Sequence, residues 1–164
     1  MILPDLVTKG LKLIFCGTAA SHASATRGHY YAGPGNRFWP LLFDTGLTPR
    51  LFQPADDHLL PSLGIGLTDL AKTASGMDHD IPRTAYTPNR LHQLITTLRP
   101  QTLAFTSLTA AKIALGARHP AGKTTHPALS NIPIWVLPSP SGAARATFTA
   151  TPWHDLATHI RHLT

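Results

Sequence analysis

Every side-chain carboxylate in this chain is an aspartate. Eight stand at Asp5, Asp44, Asp56, Asp57, Asp69, Asp78, Asp80 and Asp155, with no glutamate. A carboxylate that orients water or offsets a growing positive charge must come from these eight. The remaining chemistry-bearing residues gather in two segments. Gly28-His-Tyr-Tyr-Ala-Gly-Pro-Gly-Asn-Arg-Phe-Trp39 joins aromatic rings, able to stack on a base, to glycines that let backbone approach a ligand closely. Leu137-Pro-Ser-Pro-Ser-Gly142 adds hydroxyls and amides suited to phosphate oxygens. Each segment follows an apolar run with strand character. Together they describe a protein that grips a nucleic acid and holds one nucleotide in a pocket.

Charge agrees with that reading. Fourteen Lys and Arg against eight acids give +6 over 164 residues, without any long basic run. Such a balance points to a folded basic face for phosphates rather than a basic tail. A chain of this length buries roughly 70% of its unfolded surface, and one domain over residues 1–164 is expected. The single cysteine, Cys16, makes no internal disulfide and supports neither an iron–sulfur cluster nor a cysteine-rich zinc site. Its apolar neighbours mark it as a core thiol. Ten histidines are scattered, and His154, His159 and His162 on the terminal helix lack the acidic partner of a zinc motif. No metal is expected. His22 and His29 fall where they could touch a phosphate or a base. No apolar h-region follows Met1 and no apolar stretch reaches the roughly 20 residues of a membrane span. The expected setting is cytoplasmic.

The elements that must position these residues alternate. Leu11 to Cys16 reads as a strand ending in a turn at Gly17, and a short helix around Ser21 to Thr26 interrupts the loop beyond it. Asn36 caps a helix to about Thr45, whose Phe38, Leu41, Leu42 and Thr45 form one apolar face. Pro54 to Leu60 is a short helix opened by proline and acids, with Asp56 and Asp57 in its first turn. Leu63 to Leu70 is a glycine-broken strand or extended loop. Pro88 to Leu98 is amphipathic, Thr102 to Thr106 a buried strand, and Leu108 to Leu115 a helix stopped by Gly116. His119 to Ser130 reads as loop, Ile132 to Leu137 as the last strand, and Pro152 to Leu163 as a terminal helix. Alternation of this kind favours an α/β sandwich with a mainly parallel sheet, in which ligands bind beyond the carboxyl ends of strands.

Three segments in order carry a family resemblance: Ile14-Phe-Cys-Gly17, Ala32-Gly-Pro-Gly-Asn-Arg-Phe-Trp39, and Val136-Leu-Pro-Ser-Pro-Ser-Gly142 followed by Arg145. Through them the chain resembles the uracil-DNA glycosylase superfamily, and most closely its mismatch-specific uracil/thymine-DNA glycosylases, over nearly its whole length. The resemblance implies a three-layer α/β/α sandwich around a small, mainly parallel sheet. It also implies a base flipped out of DNA, at a cost of a few kcal/mol of unstacking, and hydrolysis of its bond to the sugar without a cofactor. Relatives act alone, so a monomer is expected.

Carried over residue by residue, the resemblance assigns Tyr31 to stacking on the flipped base, with Tyr30 as the alternative. Backbone around Gly17 and Thr18 reads the base edge. Asn36 either contacts the base or caps its helix, and Phe38 and Trp39 are core. Ser139, Ser141 and the amides around Gly142 meet phosphates, while Gly142, Ala143, Ala144 and Arg145 enter the minor groove beside the lesion. Two departures matter. The family carries a bulky apolar wedge after the glycine, where this chain has Ala143 and Ala144. The family's first loop reads Gly-Ile-Asn-Pro-Gly, its asparagine orienting the attacking water; here Gly17-Thr-Ala-Ala-Ser21 puts Ala19 in that place. A methyl group orients no water.

Asp69, in Gly66-Leu-Thr-Asp-Leu70, is the candidate replacement, because the resemblance brings this segment to the pocket floor. Asp78 and Asp80 are second choices, and a turn-capping role is the structural alternative for Asp69. The expected activity is a monofunctional glycosylase acting on uracil, with deaminated purines such as hypoxanthine or xanthine admitted by the altered loop. No lysine in the first loop suggests a lyase nucleophile. The alternative is a catalytically impaired sensor that binds lesions in DNA.

Overall fold

A computed structural model describes residues 1–163. Five strands form one sheet in the order β2-β1-β3-β5-β4, with β1 at Leu13–Gly17, β2 at Ile65–Asp69, β3 at Leu103–Phe105, β4 at Gly122–Thr124 and β5 at Ile134–Val136. β2, β1, β3 and β5 run parallel, and β4 pairs antiparallel with β5. The helices are α1 (His22–Arg27), α2 (Phe38–Asp44), α3 (Pro88–Leu98), α4 (Leu108–Leu115) and α5 (Thr151–Arg161).

The strands are apolar runs because both faces of the sheet are covered. Side chains alternate along β1: Leu13 and Phe15 join one core with Phe38, Leu41 and Leu42 of α2 and Trp153, Leu156 and Ile160 of α5. Ile14 and Cys16 join the other, with Leu91 and Ile95 of α3 and Ala110, Ala111, Ala114 and Leu115 of α4. This is the expected three-layer sandwich. The apolar face read for α2 is buried at all four positions, and Cys16 is fully enclosed.

Helix boundaries follow local chemistry. Ser107 Oγ accepts from the Ala110 amide at 3.0 Å to start α4, and Gly116 ends it at φ +79°. Pro88 opens α3. One expectation fails: His119 to Ser130 is not all loop, since Gly122–Thr124 adds β4 to the sheet and Pro127–Leu129 forms a 3₁₀ turn. Gly-Lys-Thr holds no apolar residue, so periodicity carried no sign of it. At three residues and with Lys123 exposed, β4 is a blunted edge. The opposite edge is guarded by the N-terminal segment, where Leu6 and Leu67 exchange backbone hydrogen bonds at 3.0 and 2.9 Å. That strap carries Asp5 to β2.

Candidate active site

A cavity of about 550 Å³ opens beyond the carboxyl ends of β1, β2, β3 and β5, the crevice where parallel sheets bind ligands. Gly17 ends β1 and Asp69 ends β2, and the two are register partners. Past the sheet the pairing continues: the Leu70 and Ala71 amides donate to the carbonyls of Gly17 and Thr18 at 2.9 and 2.8 Å. The Gly76 amide then bonds the Ala20 carbonyl at 2.9 Å. Residues 17–20 and 69–76 therefore form two adjacent ribbons along one wall.

Asp69 stands at the floor and lines the cavity, with only 5% of its surface exposed. Among the described residues, its carboxylate accepts no hydrogen bond and joins no ion pair. It is not the turn-capping carboxylate of the structural alternative. Burial pushes its pKa up, against the pull of Lys72 and Arg90 and with a further push from Asp5, to about 6. A carboxylate so placed is a better proton acceptor than a solvated one and remains ionised at neutral pH.

Gly17 makes this position possible. A methyl group there would lie 2.7 Å from Asp69 Oδ1, 3.2 Å from the Tyr31 hydroxyl and 3.3 Å from Thr106 Oγ1. Three oxygen groups from three separate parts of the chain converge on one bare Cα. The Tyr31 hydroxyl and Thr106 Oγ1 are themselves 3.0 Å apart. Burial, then the nearby Asp69, pushes the Tyr31 phenol well above its ordinary range, so it stays neutral and able to donate.

Tyr31 lies in the left-handed region at φ +53°, an uncommon conformation for an aromatic residue. One ring face stacks on Phe38 with centroids 3.9 Å apart and planes at 18°. Phe38 in turn meets Phe15, Trp39 and Trp153 edge-on and is fully buried. The Tyr31 ring is thus held from behind, and it lines the cavity without being sealed in the core. Tyr30, the alternative, has its hydroxyl directed to the Pro4 carbonyl and is 2% exposed.

Thr18, Ala19 and Asn36 also line the cavity. The Ala19 methyl offers nothing to orient water, as its type dictates. Asn36 Oδ1 accepts from the Phe38 amide at 2.9 Å, so it caps α2 while bordering the pocket. Thr18 Oγ1 donates to Asp78 Oδ1 at 2.7 Å. Asp78 sits exposed at the rim with Met77 and His79, at the start of a 3₁₀ turn over Asp78–Asp80.

The second segment forms the opposite wall. Ser139, Ser141, Ala143 and Ala144 line the cavity, whereas Gly142 and Arg145 do not. Residues Gly142–Thr147 coil into a 3₁₀ turn after Ser141, with Arg145 exposed on it. The two motifs touch. The Arg37 amide donates to the Pro140 carbonyl at 2.9 Å, and the Arg37 guanidinium lies 3.9 Å over the Phe148 ring. A contact pair at Gly35 and Gly142 closes the seam, a Cβ at Gly35 falling 3.7 Å from Gly142 Cα.

The profile of the uracil DNA glycosylase superfamily matches residues 4–158. The chain belongs to that superfamily. Membership makes it a DNA glycosylase. The fold is also that of a candidate uracil DNA glycosylase from Methanosarcina acetivorans, solved by solution NMR. The match has a TM-score of 0.65 at 21% identity and covers 98% of this chain and 97% of that one.

Several features of this glycosylase escaped the sequence. Thr106 and Ser107 line the pocket because β3 ends there, but nothing in their local pattern marks them. His22 and His29 do not line it; His29 Nδ1 lies 3.2 Å from Asp57 Oδ1 instead. His79 does line it. Most hidden is a charge cluster of Asp5, Lys72 and Arg90 packed behind β2, assembled from three distant parts of the chain. Among the described residues no group of His, Cys or Asp is arranged to hold a metal ion, and no helix is long and apolar enough to cross a membrane.

Proposed function

We propose that this glycosylase is monofunctional and hydrolyses the N-glycosidic bond of uracil flipped out of DNA, with Asp69 in place of the amide missing at Ala19. The observation that carries the reading is the buried carboxylate at the pocket floor, without a partner among the described residues and beside Gly17. As the bond from sugar to base breaks, its electron pair leaves with the base and positive charge grows on the sugar. An anion beside the sugar stabilises that charge. Water adds to the sugar carbon and passes a proton to Asp69. An abasic site and the free base result, with no lyase step.

Tyr31 supplies the stacking face, Gly17, Thr18, Ala19 and Asn36 border the base, and Ser139 to Arg145 engage the strand. At about 550 Å³ the cavity falls within the roughly 300–1,000 Å³ of small-molecule pockets. Its volume therefore does not confine it to a pyrimidine. Hypoxanthine and xanthine belong on the substrate list for that reason. The working form is a single-domain monomer acting in the cytoplasm.

The test is an excision panel with duplexes carrying uracil, a thymine mismatch, hypoxanthine or xanthine, each treated with alkali after incubation. Uracil DNA should give an alkali-labile product, and Asp69→Asn should abolish it while keeping DNA affinity. Tight lesion binding without any product from the wild type would instead establish the sensor. Undiminished turnover in Asp69→Asn would remove Asp69 from the mechanism.

A further inference from the structure

Among the described residues Asp69 has no ion-pair partner, yet it is not electrically alone. Behind β2, Asp5 receives Arg90 in a bidentate pair, Nη1 to Oδ2 at 2.7 Å and Nη2 to Oδ1 at 3.2 Å. Lys72 Nζ lies 3.0 Å from the same Asp5 Oδ1 and donates to the Tyr30 hydroxyl at 3.0 Å. Thr68, one residue before Asp69, donates to Asp5 Oδ1 at 2.7 Å. Arg90 Nη2 reaches further, to Thr68 Oγ1 at 2.9 Å and the Asp69 backbone carbonyl at 3.3 Å. Lys72 is 6% exposed, rare for a lysine. Burying a cation is costly unless something inside needs it.

The arithmetic of charge is uneven. Two cations share one anion, so the cluster alone carries +1, and adding Asp69 makes the four groups neutral. The Ile2 amide donates to the Lys72 carbonyl at 2.6 Å, so the N-terminal strap fixes both Asp5 and Lys72. The other titratable groups near Asp69 are the Cys16 thiol and the Tyr30 and Tyr31 phenols. All three are pushed up by burial first and then by Asp69 itself, and stay neutral. On the pocket side, Asp78 and His79 stand at the exposed rim. Among the described residues, buried Lys72 and half-buried Arg90 are the cations that act on the floor carboxylate.

We propose that Lys72 and Arg90, gathered by Asp5, are positioning residues for Asp69: Arg90 fixes its backbone, and the cluster's surplus positive charge holds its carboxylate as an anion inside a pocket that would otherwise protonate it. The catalytic consequence rests on the role given to Asp69 above; the electrostatic part does not. Lys72 and Arg90 touch no substrate. They act through the strand that ends in Asp69.

The test titrates Asp69 directly, by carbon-13 NMR of aspartate-labelled full-length protein, in wild type, Lys72→Met, Lys72→Arg and Asp5→Asn. Loss of one buried cation should raise the Asp69 titration midpoint by about one pH unit. Lys72→Arg should restore it. Asp5→Asn removes the competing anion and should move the midpoint the other way, which tests the idea even if Lys72→Met does not fold. An unmoved midpoint in folded Lys72→Met, or in Asp5→Asn where Lys72→Met does not fold, overturns the proposal. The acid limb of the excision profile should follow the same shift. A midpoint that moves while the acid limb stays put upholds the cluster and removes Asp69 as the catalytic group.

Discussion

Gly17 and Asp69 face each other across the last rung of β1 and β2, and the space a methyl group would need at Gly17 is held by Asp69 Oδ1, 2.7 Å away. Real Cβ contacts do not come so close, so an alanine at Gly17 must displace the carboxylate. Gly17→Ala should therefore mimic Asp69→Asn. A misplacement near 1 Å costs about a hundredfold in rate, and single-turnover excision of uracil should fall by roughly that factor. The strand should survive, since Gly17 φ is not in the left-handed region. A Gly17→Ala enzyme with wild-type turnover would mean that Asp69 does not need its place.

The role proposed for Asp69 also sets an expected pH profile of excision. Asp69 must be ionised to accept a proton, and burial, opposed by Lys72 and Arg90, holds its pKa at about 6. The rate should climb about tenfold per pH unit below that value and level off above it. A rate flat from pH 5 to 8, with substrate binding unchanged, contradicts the assignment.

Stability should run in the opposite direction. The folded pKa of Asp69 lies above the roughly 3.9 of an unfolded aspartate. The native state thus binds the proton more tightly, and the associated stability is complete below about pH 4 and lost as pH rises through about 6. The loss is on the order of 3 kcal/mol at most. Asp69→Asn carries no such charge. Urea unfolding should find the variant more stable than wild type at pH 8 and the two alike near pH 4. Equal stability at both pH values would argue that the carboxylate is solvated.

How much of this was legible beforehand depended on how local each signal was. β1 announces itself as an unbroken apolar run, and α2 by its four-residue face, because burial and periodicity act within a few residues. Ala19 as a missing amide, and Asp69 as its candidate replacement, were legible only through the family resemblance and not from their own neighbours. Lys72 and Arg90 were not legible at all, since only the fold brings positions 5, 72 and 90 to one point. Thr106 stayed hidden for a similar reason: its hydroxyl matters through Tyr31, 75 positions away. β4 had no apolar content to betray it. Packing decides such features, and packing is long-range.

Tyr31 offers a test that separates its ring from its hydroxyl. The ring is backed by Phe38 at 3.9 Å, while the hydroxyl meets Thr106 at 3.0 Å. In the stacking role proposed for it, removing the ring with Tyr31→Ala should forfeit about 1–3 kcal/mol, a loss of roughly 5- to 150-fold in kcat/KM. Tyr31→Phe keeps the stacking surface and should stay within about threefold of wild type. If the Phe variant fell as far as the Ala variant, the hydroxyl, and not the face, would be the working part.

Arg145 divides affinity from chemistry. It is exposed on the turn from Gly142 to Thr147, outside the cavity that holds Asp69 and Tyr31. An arginine in that position contributes a phosphate contact or reaches the base left unpaired, and the two differ in salt dependence. A phosphate contact releases counterions, so Arg145→Ala should weaken binding to every duplex alike and reduce the slope of log K against log salt by about 0.9. A contact to the orphaned base should instead weaken lesion DNA more than undamaged DNA and leave the slope unchanged. Ala143 and Ala144 leave little apolar volume to fill the vacated stack, which favours the first outcome. Fluorescence anisotropy on uracil and control duplexes between 50 and 200 mM salt, the range over which such contacts are lost, distinguishes them. Unaltered affinity on both duplexes would place the arginine outside the interface and leave the backbone of Ser139 to Ala144 to grip the strand alone.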